Sequence, residues 1–144
     1  MGLPILARPA FAHHGFTGTY DSGRPIYVAG EVIRATFRRP HPMIEMRVDA
    51  GLQPPTDLAN GEEFADILEV RPEDRGRIID IEYPPIGLFF NLSDRIAPGD
   101  RIATIVFQNC RPPHQLRGQW LRLANGEAVV RRGRMQTEDA GCSG

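Results

Sequence analysis

Lysine is missing from this sequence: all seventeen basic side chains are arginine, against eighteen acidic residues. The formal net charge is only −1, so no long-range field draws the protein towards nucleic acid or an anionic membrane. Uninterrupted apolar runs of the ~18 residues that span a bilayer are missing as well. These two absences predict a protein with no nucleic-acid partner and no membrane span.

Signatures of common enzymes are absent too. No glycine-rich phosphate loop follows a predicted strand, and the sequence contains no Gly-x-Ser-x-Gly, Cys-x-x-Cys or His-Glu-x-x-His motif. Its serines fall in predicted turns or tails, with no candidate base close to them in sequence. We therefore assign no catalytic residues and expect a binding protein rather than an enzyme.

Proline and glycine are abundant instead, with thirteen and fifteen copies in 144 residues. They divide the chain into short segments, which argues against a helical bundle. The hydrophobic pattern predicts strands over 25–38, 43–49, 75–83 and 101–108, and a hairpin around Asn125-Gly126. A short amphipathic helix is predicted over 62–69, and a compact apolar turn or a one-turn helix over 86–92. This order predicts an all-β fold with one or two short helices, a small OB-like Greek-key β-barrel.

The first predicted strand changes phase at Gly30. Ile26 and Val28 share one face before the glycine, whereas Ile33 and Ala35 share the other face after it. A glycine at such a switch is typical of a bulge or a sharp bend in a coiled barrel strand. We therefore predict a bulge or a sharp bend at Gly30.

The first twelve residues differ in character from the rest. Residues 3–7 form a short apolar run, and Ala10-Phe11-Ala12 fits the small-x-small pattern of a signal peptidase site. We interpret residues 1–12 as the remnant of a secretory signal, with a disordered arm as the alternative. Residues 13–136 would form the barrel domain and 137–144 a C-terminal tail. On this interpretation the protein is periplasmic or secreted in a bacterium.

Two cysteines, Cys110 and Cys142, fit an exported protein with a single disulfide bond. Such a bond would also hold the C-terminal tail against the domain. Two unpaired thiols are the alternative.

Four histidines lie in predicted loops or at the ends of predicted strands: His13, His14, His41 and His114. Imidazole is a good ligand for copper, and an exported protein meets copper more often than a cytosolic one. Cleavage after Ala12 would give His13 a free α-amino group, which can chelate a metal ion together with its own imidazole. A second imidazole would complete a three-nitrogen set that suits copper(II). We therefore predict a copper site at one rim of the barrel, with incidental, solvated histidines as the alternative.

A basic segment gives a second candidate function. Residues 111–134 include six arginines and one acid, Glu127, with Trp120 among them. This composition predicts a solvated strand face or a contact surface for an acidic protein partner, with Arg117, Trp120 and Arg122 as the contact residues in the second case. The alternative function is therefore a non-catalytic adaptor, or a subunit of a larger assembly.

Several short motifs occur together along the chain: Ala12-His13-His14-Gly15-Phe16, Tyr20-Asp21, the strand around Gly30, Arg39-Pro40-His41, Pro98-Gly99-Asp100, and residues 123–126. In these motifs the chain resembles an uncharacterised family (a domain of unknown function) of small exported bacterial proteins. The resemblance is close over residues 12–50 and looser over 80–133. It implies export and a small barrel, and it puts three of the histidines at family motif positions. Arg39 stands where the family has asparagine.

Overall fold

A computed structural model of the chain describes residues 20–131 and Cys142. The described part contains six strands, one short helix and two 3-10 turns. They are β1 (Ile26–Thr36), β2 (Met43–Val48), the 3-10 turns Glu62–Phe64 and Pro72–Asp74, β3 (Ile78–Glu82), α1 (Gly87–Phe90), β4 (Arg101–Gln108), β5 (Leu116–Arg122) and β6 (Ala128–Val130). With α1 at four residues, the described part of the chain has no helix long and apolar enough to cross a membrane.

The strands close into a five-stranded barrel, which confirms the predicted OB-like Greek-key fold. Their order is β3-β2-β1-β4-β5, and β3 also pairs with β5. That closing pair is parallel and short, with Ile81 opposite Leu116 and Glu82 opposite Arg117. All other strand pairs are antiparallel, and β6 extends the sheet beyond β5.

The barrel interior follows the predicted alternation where the strands are regular. On β2 the three apolar side chains predicted to face inwards, Ile44, Met46 and Val48, are all buried. Helix α1, which connects β3 to β4, places Phe89 in the core with its ring centroid 5.1 Å from that of Tyr83. Burial of this apolar surface is the main force that holds the barrel together.

The outer face of β1, β4 and β5 is covered by the long β2–β3 connection, residues 49–77. Phe64 of this connection packs edge-on against Phe107 of β4, with ring centroids 6.1 Å apart. Glu69 pairs with the start of β1, where its carbonyl accepts a hydrogen bond from the Tyr27 amide at 2.8 Å. The prediction of an amphipathic helix over 62–69 is therefore wrong beyond its first turn, because the backbone around Glu69 is taken up by strand pairing.

Gly30 allows the backbones of β1 and β2 to approach each other closely, and it is not the site of a bulge. A Cβ atom at this position would lie 1.9 Å from the carbonyl oxygen of Arg47 on β2. The irregularity in the pairing of β1 with β2 falls later, between Val32 and Arg34. The predicted bulge is thus present in β1 but not at the glycine.

Candidate functional site

Two loops lie at the end of the barrel where β3 meets β5. The β1–β2 loop covers residues 37–42 and the β4–β5 loop covers residues 109–115. We call these two loops together the rim. In barrels of this topology the same two loops border the usual ligand-binding face. The rim carries two of the four predicted metal ligands, His41 and His114.

Glu82, the last residue of β3, contacts both loops of the rim. Its Oε1 lies 3.2 Å from Nδ1 of His41 in the β1–β2 loop. Its Oε2 accepts a hydrogen bond from Nε2 of Gln115 in the β4–β5 loop. The carboxylate is almost entirely buried. A single side chain therefore links the two loops that carry the histidines.

The His41 side chain lies between two prolines and is 18% exposed. The peptide bond between Arg39 and Pro40, just before it, is cis. Because the Glu82 carboxylate faces Nδ1, the proton of a neutral His41 ring is favoured on that nitrogen. The other ring nitrogen, Nε2, then keeps a lone pair that can bind a metal ion.

His114 is exposed and has a left-handed backbone conformation, with φ of 60°. Its amide donates a hydrogen bond to the Arg111 carbonyl at 2.8 Å, and its Nδ1 lies 3.0 Å from the Asn109 carbonyl oxygen. A carbonyl can only accept, so this contact places the proton on Nδ1 and leaves Nε2 as an acceptor. Metal-binding histidines are usually oriented in this way, by a carboxylate or a carbonyl at the other ring nitrogen.

His13 and His14 lie outside the described residues, so no geometry is assigned to them. Tyr20, six residues after His14, pairs with Asn109 in the β4–β5 loop. Six extended residues span at most about 20 Å, so chain length permits both histidines to reach the rim. Within residues 20–131 and Cys142, no group of three or more histidine, cysteine, aspartate or glutamate side chains could hold a metal ion.

Beneath the rim, Arg117 and Tyr20 form a buried polar layer. The Arg117 guanidinium lies 5.5 Å from the centre of the Tyr20 ring, and both side chains are buried. Burial lowers the pKa of Arg117 to about 10, and the positive charge of Arg131 acts in the same direction. Burial also raises the pKa of Tyr20.

Of the three residues predicted to form a partner surface, Arg117 and Trp120 are buried and Arg122 is partly exposed, which corrects the expectation of an open surface. Trp120 is fully buried, and its Nε1 donates a hydrogen bond to the Ala59 carbonyl at 3.0 Å. The Arg122 guanidinium lies 5.7 Å from the Trp120 ring and donates to the Asp57 carbonyl at 3.0 Å. The β2–β3 connection thus occupies the face that was expected to bind a partner.

The predicted disulfide bond is confirmed: Cys110 is bonded to Cys142 across 32 residues of sequence. Cys110 belongs to the β4–β5 loop. The bond therefore attaches the C-terminal part of the chain to the rim, on the loop that carries His114.

Sequence reasoning missed Glu82 and Gln115. Glu82 follows the alternation of β3 as an outward-facing polar residue, and this pattern is typical of a solvated position. Nothing in the local sequence indicates that two loops cover it. The parallel register of β3 with β5, which brings Glu82 opposite Arg117, was the missing information.

Comparison of the chain with models of known protein families gives no match, and comparison with curated proteins gives none either.

Proposed function

We propose that this protein is an exported binding protein that holds a copper(II) ion at its rim, through the imidazoles of His41 and His114. The observation that carries the proposal is that both rings have Nδ1 against an oxygen atom, at 3.2 Å for Glu82 and 3.0 Å for Asn109. In each ring Nε2 is then left to coordinate, as in known histidine metal sites.

Two imidazoles alone do not complete a copper(II) site, which takes a tetragonal set of nitrogen and oxygen ligands. His13 and His14 are the proposed source of the remaining nitrogens. If the chain is cleaved after Ala12, the α-amino group of His13 adds a further ligand. Chain length from Tyr20 allows this segment to reach the β4–β5 loop.

Export is part of the same proposal. Disulfide bonds persist in oxidising compartments such as the bacterial periplasm, and the bond between Cys110 and Cys142 supports such a location. Copper binding and an oxidised cysteine pair are compatible there, because neither cysteine is left as a competing thiolate ligand.

The test uses a chain whose first residue is His13. Copper(II) is titrated into this protein, binding is measured by calorimetry, and the coordinated nitrogens are identified by pulsed electron paramagnetic resonance. We expect one bound ion, and loss of one coordinated imidazole with His41→Ala and another with His114→Ala, each weakening binding at least about tenfold. A chain that still carries residues 1–12 is the matched control for the α-amino ligand. Unchanged affinity in both alanine variants would exclude the rim and assign any copper to the N-terminal segment alone.

A further inference from the structure

The rim carries exposed arginines whose charge is not balanced nearby. Arg38 and Arg39 lie in the β1–β2 loop and Arg111 lies in the β4–β5 loop, and all three are exposed. Neither loop contains an acidic residue. The acid whose carboxylate contacts these loops, Glu82, is buried beneath them and is engaged by His41 and Gln115.

Some arginines elsewhere on the barrel are paired with acids, whereas others, such as Arg47 and Arg77, lie in segments that also contain acidic residues. Within the described part of the chain, five arginines form ion pairs with carboxylates: Arg24, Arg34, Arg71, Arg95 and Arg101. Among these same described residues, none of the three rim arginines forms an ion pair. What distinguishes the rim is that its three exposed arginines lie in loops with no acidic residue of their own, in a protein whose net charge is close to zero.

The charge sits on two loops that are held together. Glu82 joins the β1–β2 loop to the β4–β5 loop, and Tyr20 pairs with Asn109 at the base of the latter. A ligand that reaches across both loops would therefore meet arginines from each without first having to draw them together. Such preorganisation lowers the entropic cost of binding.

From this arrangement we propose that the rim docks an acidic, carboxylate-rich segment of a partner protein through Arg38, Arg39 and Arg111. The planar guanidinium group matches a carboxylate in a two-point contact, and complementary charge speeds and orients docking. The proposal does not rest on copper binding. A bound copper ion would add to the positive charge that the acidic segment offsets.

Single-stranded nucleic acid is the other polyanion that an arginine-rich rim could attract, but the aromatic residues do not favour it. Binders of single strands stack bases on exposed aromatic rings. In the described part of the chain, all tyrosines and the tryptophan are buried. The phenylalanines there are at most half-exposed. The rim therefore provides charge without a stacking surface, and this combination suits carboxylates.

The test uses the metal-free full chain in a chelating buffer and a labelled peptide of ten glutamates, with fluorescence anisotropy as the readout. We expect binding at low ionic strength that is lost at about 0.5 M salt, because exposed charges are then screened. The double variant Arg38→Glu, Arg39→Glu should weaken binding roughly tenfold, and adding Arg111→Glu should weaken it further. Shifts of backbone amide resonances should be confined to residues 37–42 and 109–115.

The matched control is Arg47→Glu with Arg77→Glu, which changes the charge equally at the opposite end of β2 and β3. Both arginines are exposed and neither forms an ion pair within residues 20–131. Equal loss of peptide binding in the control would overturn the proposal, since the effect would then be one of overall charge. Tighter binding of a ten-base single-stranded DNA than of the peptide would assign the rim to nucleic acid instead. Glu138 and Asp139 shortly precede Cys142, which is bonded to Cys110 of the rim. Peptide binding that appears only after Glu138→Gln and Asp139→Asn would overturn the proposal, because it would assign the rim to the chain's own acids.

Discussion

The carboxylate of Glu82 lies 3.2 Å from Nδ1 of His41, so the last residue of β3 holds an imidazole that belongs to the β1–β2 loop. The two residues are 41 positions apart in number and meet because β2 and β3 are antiparallel neighbours, with Met43 opposite Glu82. This contact fixes the orientation of a histidine ring that lies in a loop.

Replacement of Glu82 by glutamine tests the orienting contact. Glu82→Gln keeps the shape of the side chain but removes the negative charge that favours a proton on Nδ1 of His41. Loss of such a supporting partner typically lowers metal affinity about 10- to 100-fold. We expect a reduction of that size in copper(II) affinity, together with a changed nitrogen coupling in the resonance spectrum.

Glu45→Gln provides the control for Glu82→Gln, since it removes one carboxylate charge from the neighbouring strand, where Glu45 pairs with Arg34. Urea unfolding of both variants separates a general loss of stability from an effect on the metal site. A copper affinity that falls equally in both variants would count against an orienting role for Glu82.

Fluorescence of Trp120 tests whether this residue is buried or belongs to an exposed partner surface. This is the single tryptophan of the chain, and it is fully buried beneath the β2–β3 connection. We expect a fluorescence emission typical of an apolar environment, and very little quenching by iodide in the native protein. Strong quenching, as for an exposed ring, would restore the partner surface that includes Arg117 and Arg122.

Gly30→Ala tests the close approach of β1 and β2. The added methyl group would lie 1.9 Å from a backbone oxygen of Arg47, and backbone cannot move aside as a flexible side chain can. We expect a loss of about 3 kcal/mol or more in the free energy of unfolding. Gly51→Ala is the control, because no heavy atom lies within 4 Å of the added carbon there. It should change stability by less than about 0.5 kcal/mol.

Alkaline pH should destabilise the protein through its tyrosines. Burial raises the pKa of Tyr20, Tyr27 and Tyr83 above the ordinary value of 10.0, most strongly for the fully buried Tyr83. The unfolded chain therefore loses these protons first, so stability is complete below pH 10 and falls as pH rises further. Arg117 opposes this trend, because its lowered pKa favours the folded state at high pH.

Two measurements check this behaviour: urea unfolding between pH 9 and about 11, and tyrosinate absorbance of native and unfolded protein. Tyr83→Phe should make the pH dependence shallower, at the cost of the hydrogen bond from the Tyr83 hydroxyl to Thr104 Oγ1. Native and unfolded chains that ionise at the same pH would contradict the burial argument.

The approximate positions of the strands, and the one cysteine pair that could form a disulfide bond, could be predicted from the sequence alone. Strand β4 matches its predicted bounds, and the alternation of Ile44, Met46 and Val48 on β2 gave the correct inward face. These features are local, because the two-residue alternation of a strand and the turn at Asn125-Gly126 depend only on residues that are neighbours in sequence. With two cysteines in the chain, one intramolecular pairing was available.

Tertiary structure decided the surroundings of Trp120 and Glu82. Arginines and a tryptophan on β5 have the composition of a contact surface, but the 49–77 connection covers Trp120 and leaves Arg122 only partly exposed. Glu82 has the pattern of a solvated residue, but the pairing of β3 with β5 buries it between two loops. Burial of this kind depends on segments distant in sequence, and no local pattern records which segment will cover which face. The histidine positions were therefore readable from the chain, whereas the contacts that orient His41 and His114 exist only in the folded barrel.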